Sequence, residues 1–282
     1  MRLTVNSCAA AASEADSSPL FSGNETTGSW GDHPEFAQTY SVLGLFLLHG
    51  HAAETNATRL AIAHSTLVAD LKAKDYGHRV GLIGWAHLLP VLSLLGEHEV
   101  AAKVASSMRW PSLGYMLAQT GDGSTLWERW ERPDPDERRA TTVNNTSLNH
   151  PMFGSVLPWL MASAAGLDAS RAALDGRLTL RPQPTVAVSG AAAVQVLADG
   201  RGSVARLSWR LLAGGKDGAT VEINCSVPEG YAADVEGVAE RFSVGAGEHS
   251  FRVALADMAR QLLKLDDSHG ERRELRATTQ CG

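Results

Sequence analysis

No part of this chain is basic enough to grip a nucleic acid, apolar for long enough to cross a bilayer, or supplied with cysteines at the spacing of a metal site. Twenty-five basic residues face 31 acidic ones, for a formal charge of −6, and no Lys/Arg-rich face occurs before the last few dozen residues. That excludes the electrostatic footprint of a nucleic-acid partner. No apolar run approaches the roughly 20 residues of a membrane-spanning helix. The opening MRLTVNSCAAAASEADSS places Asn6 three residues after Leu3 and reads as neither an anchor nor a signal peptide, and localisation stays open. Cys8, Cys225 and Cys281 are odd in number and far apart, with no C-x-x-C pair, so neither a disulfide framework nor a zinc site is indicated. G-x-S-x-G, the P-loop and a G-x-G-x-x-G after a strand are all missing, so no cofactor is implied. Five N-x-S/T sequons, at Asn24, Asn56, Asn144, Asn145 and Asn224, matter only on a eukaryotic secretory route.

What is present is a chain of 282 residues, 44% hydrophobic, long enough for one large domain or two ordinary ones. Residues 1–31 are rich in Ser, Ala, Asn and Gly without periodicity and read as an irregular N-terminal segment. Residues 32–168 read as helix pairs. PEFAQTYSVLGLFLLHG has Phe36, Tyr40, Leu43 and Leu47 at helical spacing, and the next helix runs through Leu60, Ala63, Leu67 and Leu71 to Gly77. GLIGWAHLLPVLSLLG puts Trp85, Leu88, Leu92 and Leu95 on one face across Pro90, and EVAAKVASSM continues with Val100, Val104 and Met108. Two more helices are expected, at 112–119 and at HPMFGSVLPWLMASAAG. From 169 the period becomes two. RLTLRP, AVQVLA, VARLSWRLL and TVEINCSV alternate apolar and polar residues between turn clusters, the pattern of an antiparallel β-sandwich over 169–256. A charged tail, 257–282, has room for one short helix.

Aromatic residues make up only 6% of the chain, yet TLWERWE, 125–131, holds two tryptophans and two carboxylates. The cluster lies between two expected helices, in the kind of connection that forms the lip of a pocket. Indole faces suit the C–H face of a sugar whose hydroxyls are held by nearby carboxylates. Trp127 and Trp130 fit that role, while Trp85 and Trp159 sit at apolar helix positions and read first as core, with the sugar face as their other reading. Glu128, between Trp127 and Arg129, is the candidate acid or base; a salt bridge to Arg129 or Arg132 is its other reading. His150, before a helix-starting Pro, would aim at the same opening or cap the helix.

The segments HRVGLIGWAHLLPVLSLLG, MRWPSLGYMLAQTGDGSTLWERWE and NNTSLNHPMFGSVLPWLMASAAGLDA, in this order and ahead of an alternating β region, resemble the α-L-rhamnosidases of glycoside hydrolase family 78 over about 32–256. The resemblance implies an α+β multidomain chain, with an (α/α)6 toroid followed by a C-terminal β-sandwich. About six helices are expected here, so the toroid would be incomplete. It implies inverting hydrolysis of terminal α-L-rhamnose, with two carboxyls roughly 6.5–9.5 Å apart. Glu128 matches the water-activating base, and Trp127 and His150 match residues that line the sugar site. Two departures stand out. Relatives read G-x-x-G-T where this chain has Trp85, which places an indole beside the expected pocket. The D-x-P-x-R-x-E-R segment that supplies the acid has no counterpart. The expected partner is a rhamnose-containing glycoside or polysaccharide, and a half-built toroid is expected to associate with itself or with a missing N-terminal half. Two other readings are a non-catalytic carbohydrate- or partner-binding remnant and a toroid enzyme for another sugar.

Overall fold

Ala63, Leu67 and Leu71, spaced by four, are all buried in α1, Glu54–Ala73, a helix of the computed structural model of this chain. The structure describes residues 38, 42, 54–120, 125–130, 147, 149–185, 187–212, 218–238 and 242–262. The irregular segment 1–31, the stripe Phe36, Tyr40, Leu43 and Leu47, the carboxylate run after Trp130 and the tail beyond 262 lie outside the described residues. The chain divides into two compact units at Ser155/Val156, with 96–102 grouped with the second.

In the first unit α1 gives way to Asp75 and Tyr76 in the left-handed region, at φ 51° and 62°, and Tyr76 N–H donates to Leu71 O at 2.7 Å. The chain therefore turns one residue before Gly77. Helix α2, Leu82–Leu94, keeps Pro90 inside it and buries Leu89 and Val91 as well as the expected Trp85, Leu88 and Leu92. It is thus buried on more than the single stripe predicted. Helix α4, Leu113–Thr120, follows the expected position closely. Gln38, helical and 7% exposed, accepts from Arg79 N–H and donates to Asp70. It fixes the chain between α1 and α2 through a polar group that periodicity does not reveal.

Two expectations need correction. Helix α3, His98–Ala105, stops short of Met108, which is 64% exposed instead of extending the stripe of Val100 and Val104. HPMFGSVLPWLMASAAG is not one helix. It is a 3-10 turn, Pro151–Ser155, then α5, Val156–Trp159, then a π segment, Leu160–Ala165. Pro158 has no N–H to offer the preceding turn, and the wider spacing is closed by Gly166 N–H on Met161 O at 3.0 Å. Gly166 ends it at φ +89°, where a Cβ would meet the Pro182 backbone at 2.2 Å, so both the torsion and the close approach require glycine.

The second unit holds two four-stranded sheets. Strands β1 (Leu167–Asp168), β2 (Arg177–Leu180), β6 (Ala232–Val235) and β7 (Phe242–Val244) form one in that order. Strands β3 (Gly190–Val196), β4 (Val204–Leu212), β5 (Thr220–Val227) and β8 (Gly247–Ala254) form the other. The second is wholly antiparallel. The first is mixed, which corrects the antiparallel expectation: β2 and β6 run parallel, Leu178 opposite Ala233 and Leu180 opposite Val235. The chain leaves this sheet after β2, builds β3–β5 in the other, and returns at β6 in the same direction. Alternation places Leu207, Trp209, Val221, Ile223 and Cys225 inward, in one apolar cluster shared with Leu178, Leu180, Ala233 and Val235. A helical stretch, 255–262, adds Met258 and Leu262 to that cluster, so packed structure continues past 256. Burial pushes the Cys225 thiol up to about 11.

Candidate functional site

The segment 125–130 is held by backbone bonds rather than by regular structure. His150 N–H donates to Leu126 O at 2.8 Å and Glu128 N–H to Ser147 O at 2.9 Å, a short antiparallel pairing between 126–128 and 147–150. Trp127 N–H points at the sulfur of Met116 on α4, 3.1 Å away. The indole N–H of Trp130 donates to Val80 O at 2.9 Å. Four anchors on five residues leave this connection little freedom.

Glu128 is half-buried. Its Oε2 accepts from Ser147 N–H at 2.8 Å, and no described cation pairs with it, so the Arg129 ion pair allowed by spacing is not formed. His150 is also half-buried, and its Nδ1 accepts from Met152 N–H at 3.4 Å across the first residues of the 3-10 turn. One ring nitrogen thus serves as a cap. The pairing brings the segments of Glu128 and His150 side by side.

The tryptophans are placed differently. Trp85, Trp127 and Trp130 are 2%, 1% and 8% exposed, so their indoles face protein and not an opening. Trp130 packs on Phe153 with ring centroids 4.0 Å apart and meets Trp85 edge-on at 5.2 Å. His78 sits 5.1 Å from Trp85 and 4.9 Å from Trp130. Neither nitrogen of His78, nor the Trp85 indole nitrogen, has a hydrogen-bond partner among the described residues. Without compensation the charged imidazolium is strongly disfavoured, and burial pulls the His78 pKa down to about 4. Trp159 is buried as well, in the second unit.

Sequence reasoning missed Ser147, Met116, Phe153 and His78. Ser147 left no specific signal, since any serine hydroxyl can close a turn on the backbone two residues ahead. The other three depend on contacts between distant segments. No group of His, Cys, Asp and Glu among the described residues could hold a metal ion, and no described helix is long and apolar enough to cross a membrane.

Residues 34–164, which include Glu128, Ser147 and His150, match the family described as the bacterial alpha-L-rhamnosidase 6 hairpin glycosidase domain. An alpha-L-rhamnosidase of Streptomyces avermitilis is 32% identical over 218 residues, 70% of this chain and 20% of that protein. The crystal structure of native alfa-L-rhamnosidase from Aspergillus terreus aligns with a TM-score of 0.66 at 25% identity, covering 86% of this chain and 26% of that one. That of Streptomyces avermitilis alpha-L-rhamnosidase complexed with L-rhamnose aligns with a TM-score of 0.61 at 29% identity, over 77% of this chain and 21% of that one. The chain therefore spans about a fifth of the length of the curated relative it matches. Residues 34–164 of this chain are thus similar to the six-hairpin glycosidase domain of bacterial α-L-rhamnosidases.

Proposed function

We propose that this chain is part of an α-L-rhamnosidase-type glycoside hydrolase and that Glu128 is its general base. The observation that carries the reading is the pinned, half-buried Glu128 carboxylate, with no competing cation among the described residues, inside the segment that matches the family. In the inverting scheme Glu128 takes a proton from water. The water oxygen bonds to the anomeric carbon as the glycosidic C–O bond breaks, and the leaving oxygen gains a proton from a second carboxylic acid. That acid is proposed to come from a D-x-P-x-R-x-E-R type segment outside this sequence. The substrate class is a terminal α-L-rhamnoside. His150 lies beside the sugar site, and Trp85, Trp127 and Trp130 serve it as a buried platform that keeps the 125–130 segment in place.

The helical unit is proposed as part of an (α/α)6 toroid and the two sheets as a sandwich, supported by the helix pairs and by the single apolar cluster the sheets share. Ile83, Met108 and Trp110, exposed at 62%, 64% and 54% on the helical unit, support a partner half or self-association.

The test uses calorimetric titration with L-rhamnose and cleavage of an aryl α-L-rhamnoside. The chain by itself is expected to bind L-rhamnose without enzymatic turnover. In a form that supplies the acid, Glu128→Gln is expected to lower kcat by at least about 10²-fold while keeping binding. Near-normal kcat in Glu128→Gln would remove the base assignment. Absence of both binding and turnover in every form would favour a non-catalytic, partner-binding remnant.

A further inference from the structure

We infer that Ser147 is the positioning residue of Glu128: its backbone N–H holds one carboxylate oxygen, and its hydroxyl sets the register between the segments of Glu128 and His150. The inference rests on the role proposed for Glu128. In an antiparallel pair, two facing residues exchange two backbone hydrogen bonds. Glu128 and Ser147 make one of these, from Glu128 N–H to Ser147 O at 2.9 Å. The return bond, from Ser147 N–H, bypasses the Glu128 carbonyl and ends on side-chain Oε2 at 2.8 Å. The carboxylate stands in for a backbone acceptor, so the residue is held at its main chain and at the tip of its side chain. No described residue donates to Oε1.

The next bond fixes the register. An unbroken ladder would step from the Glu128/Ser147 pair to Leu126 and Asn149, two residues back on one segment and two forward on the other. The structure pairs Leu126 O with His150 N–H instead. The second segment thus carries one residue more than the first, the arrangement of a β-bulge, which re-aims the side chains around it. Asn149 is the extra residue. Its N–H donates to Ser147 Oγ at 3.1 Å, and the same hydroxyl donates to Asn149 O at 3.0 Å. Without the hydroxyl, Asn149 N–H has no described acceptor, and a slip of one residue, which would place it on Leu126 O, is no longer opposed by that bond. A one-residue slip reverses which way every side chain faces. It would turn His150 away and draw Ser147 N–H off Oε2. One hydroxyl therefore keeps the base and the histidine in their observed relation.

The test needs no turnover, so it can fail independently of the proposed reaction. The intact chain, labelled with ¹⁵N, is followed through a pH titration as wild type, Ser147→Ala, Ser147→Thr and Glu128→Gln. In the wild type the Ser147 amide proton is expected to shift with the titration of a carboxylate, and in Glu128→Gln to stay flat. In Ser147→Ala the Glu128 and His150 amides are expected to exchange with solvent about tenfold faster or more, with the Ser147 response lost. Ser147→Thr, which keeps the hydroxyl, is expected to restore both. A Ser147 amide that ignores pH in the wild type, or that still titrates in Glu128→Gln, would overturn the clamp. Unchanged exchange in Ser147→Ala would overturn the register role. Should Ser147→Ala not fold, Ser147→Thr and Glu128→Gln still decide the matter, because a threonine that disrupts the pattern or a glutamine that preserves it contradicts the inference.

Discussion

Trp130 and Trp209 are both buried indoles, 8% and 3% exposed, and each donates its N–H to a backbone carbonyl, Val80 O and Ala164 O. Their surroundings differ. Trp130 sits among flat rings, His78, Trp85 and Phe153, and two of those three carry polar atoms with no described partner. Trp209 sits in an aliphatic cluster, in a unit whose buried carboxylates are paired. Glu222 accepts from both Arg210 and Arg252, and Asp234 from Arg177 and Ser243; the Thr185 hydroxyl has no hydrogen-bond partner among the described residues. Two buried carboxylates closed by arginine and serine donors serve the stability of the β unit. A helical core that leaves some open behind a pinned carboxylate accepts a cost where shape matters more, as expected near a functional site.

The largest effect is expected from Trp130→Ala. Removing an indole with three ring neighbours should cost about 3–5 kcal/mol in urea unfolding, and L-rhamnose binding should be lost with it because the Glu128 segment loses its anchor. Trp209→Ala should cost a similar amount yet leave binding intact under conditions where it stays folded. Equal loss of binding in both would erase the distinction between the two regions.

Acid should separate the units next. Folded His78 has its pKa held near 4, against an ordinary 6.5, so the unfolded chain takes up this proton first as pH falls. The helical unit keeps its full stability above 6.5 and loses it progressively down to 4, by about 3 kcal/mol in all. His78→Phe should flatten that dependence. The Glu222 carboxyl lies below its ordinary 4.5, held down first by the hydrogen bond from Arg252 and then by that from Arg210. Its contribution is complete above 4.5 and is lost only as pH drops through the lower folded value. Peptide-resolved hydrogen exchange at about pH 7, 5 and 3 should therefore show the helical unit opening first. Simultaneous opening would remove the contrast. The smallest effect is expected for Trp209→Phe, about 1 kcal/mol for one lost hydrogen bond, measured as a shift in the unfolding midpoint.

The helices α1, α2 and α4 and the strands β2 to β5 were legible from the spacing of their apolar residues, although α2 is buried on more than one face. The parallel pairing of β2 with β6 was not, since register between strands some fifty residues apart has no local signature. Pro158 was visible, yet whether a proline kinks a helix or divides it into 3-10, α and π turns depends on what closes the freed carbonyls. At the site, Glu128 and His150 stood out through residue type and spacing. Ser147 did not, because its part is played largely by a backbone N–H that every residue but proline carries. Trp127 in a connection beside a carboxylate read as a face for a sugar, and its side chain is 1% exposed.

Cys225 points inward from the middle of β5, opposite Leu207 on β4 and His249 on β8. A thiol with its pKa near 11 is almost wholly protonated at neutral pH, and only the thiolate attacks an electrophile. The sheet therefore contains its own clock. The rate at which an alkylating reagent marks the peptide around Cys225 measures how often the centre of β5 comes open, with no foreign label and no change to the sequence.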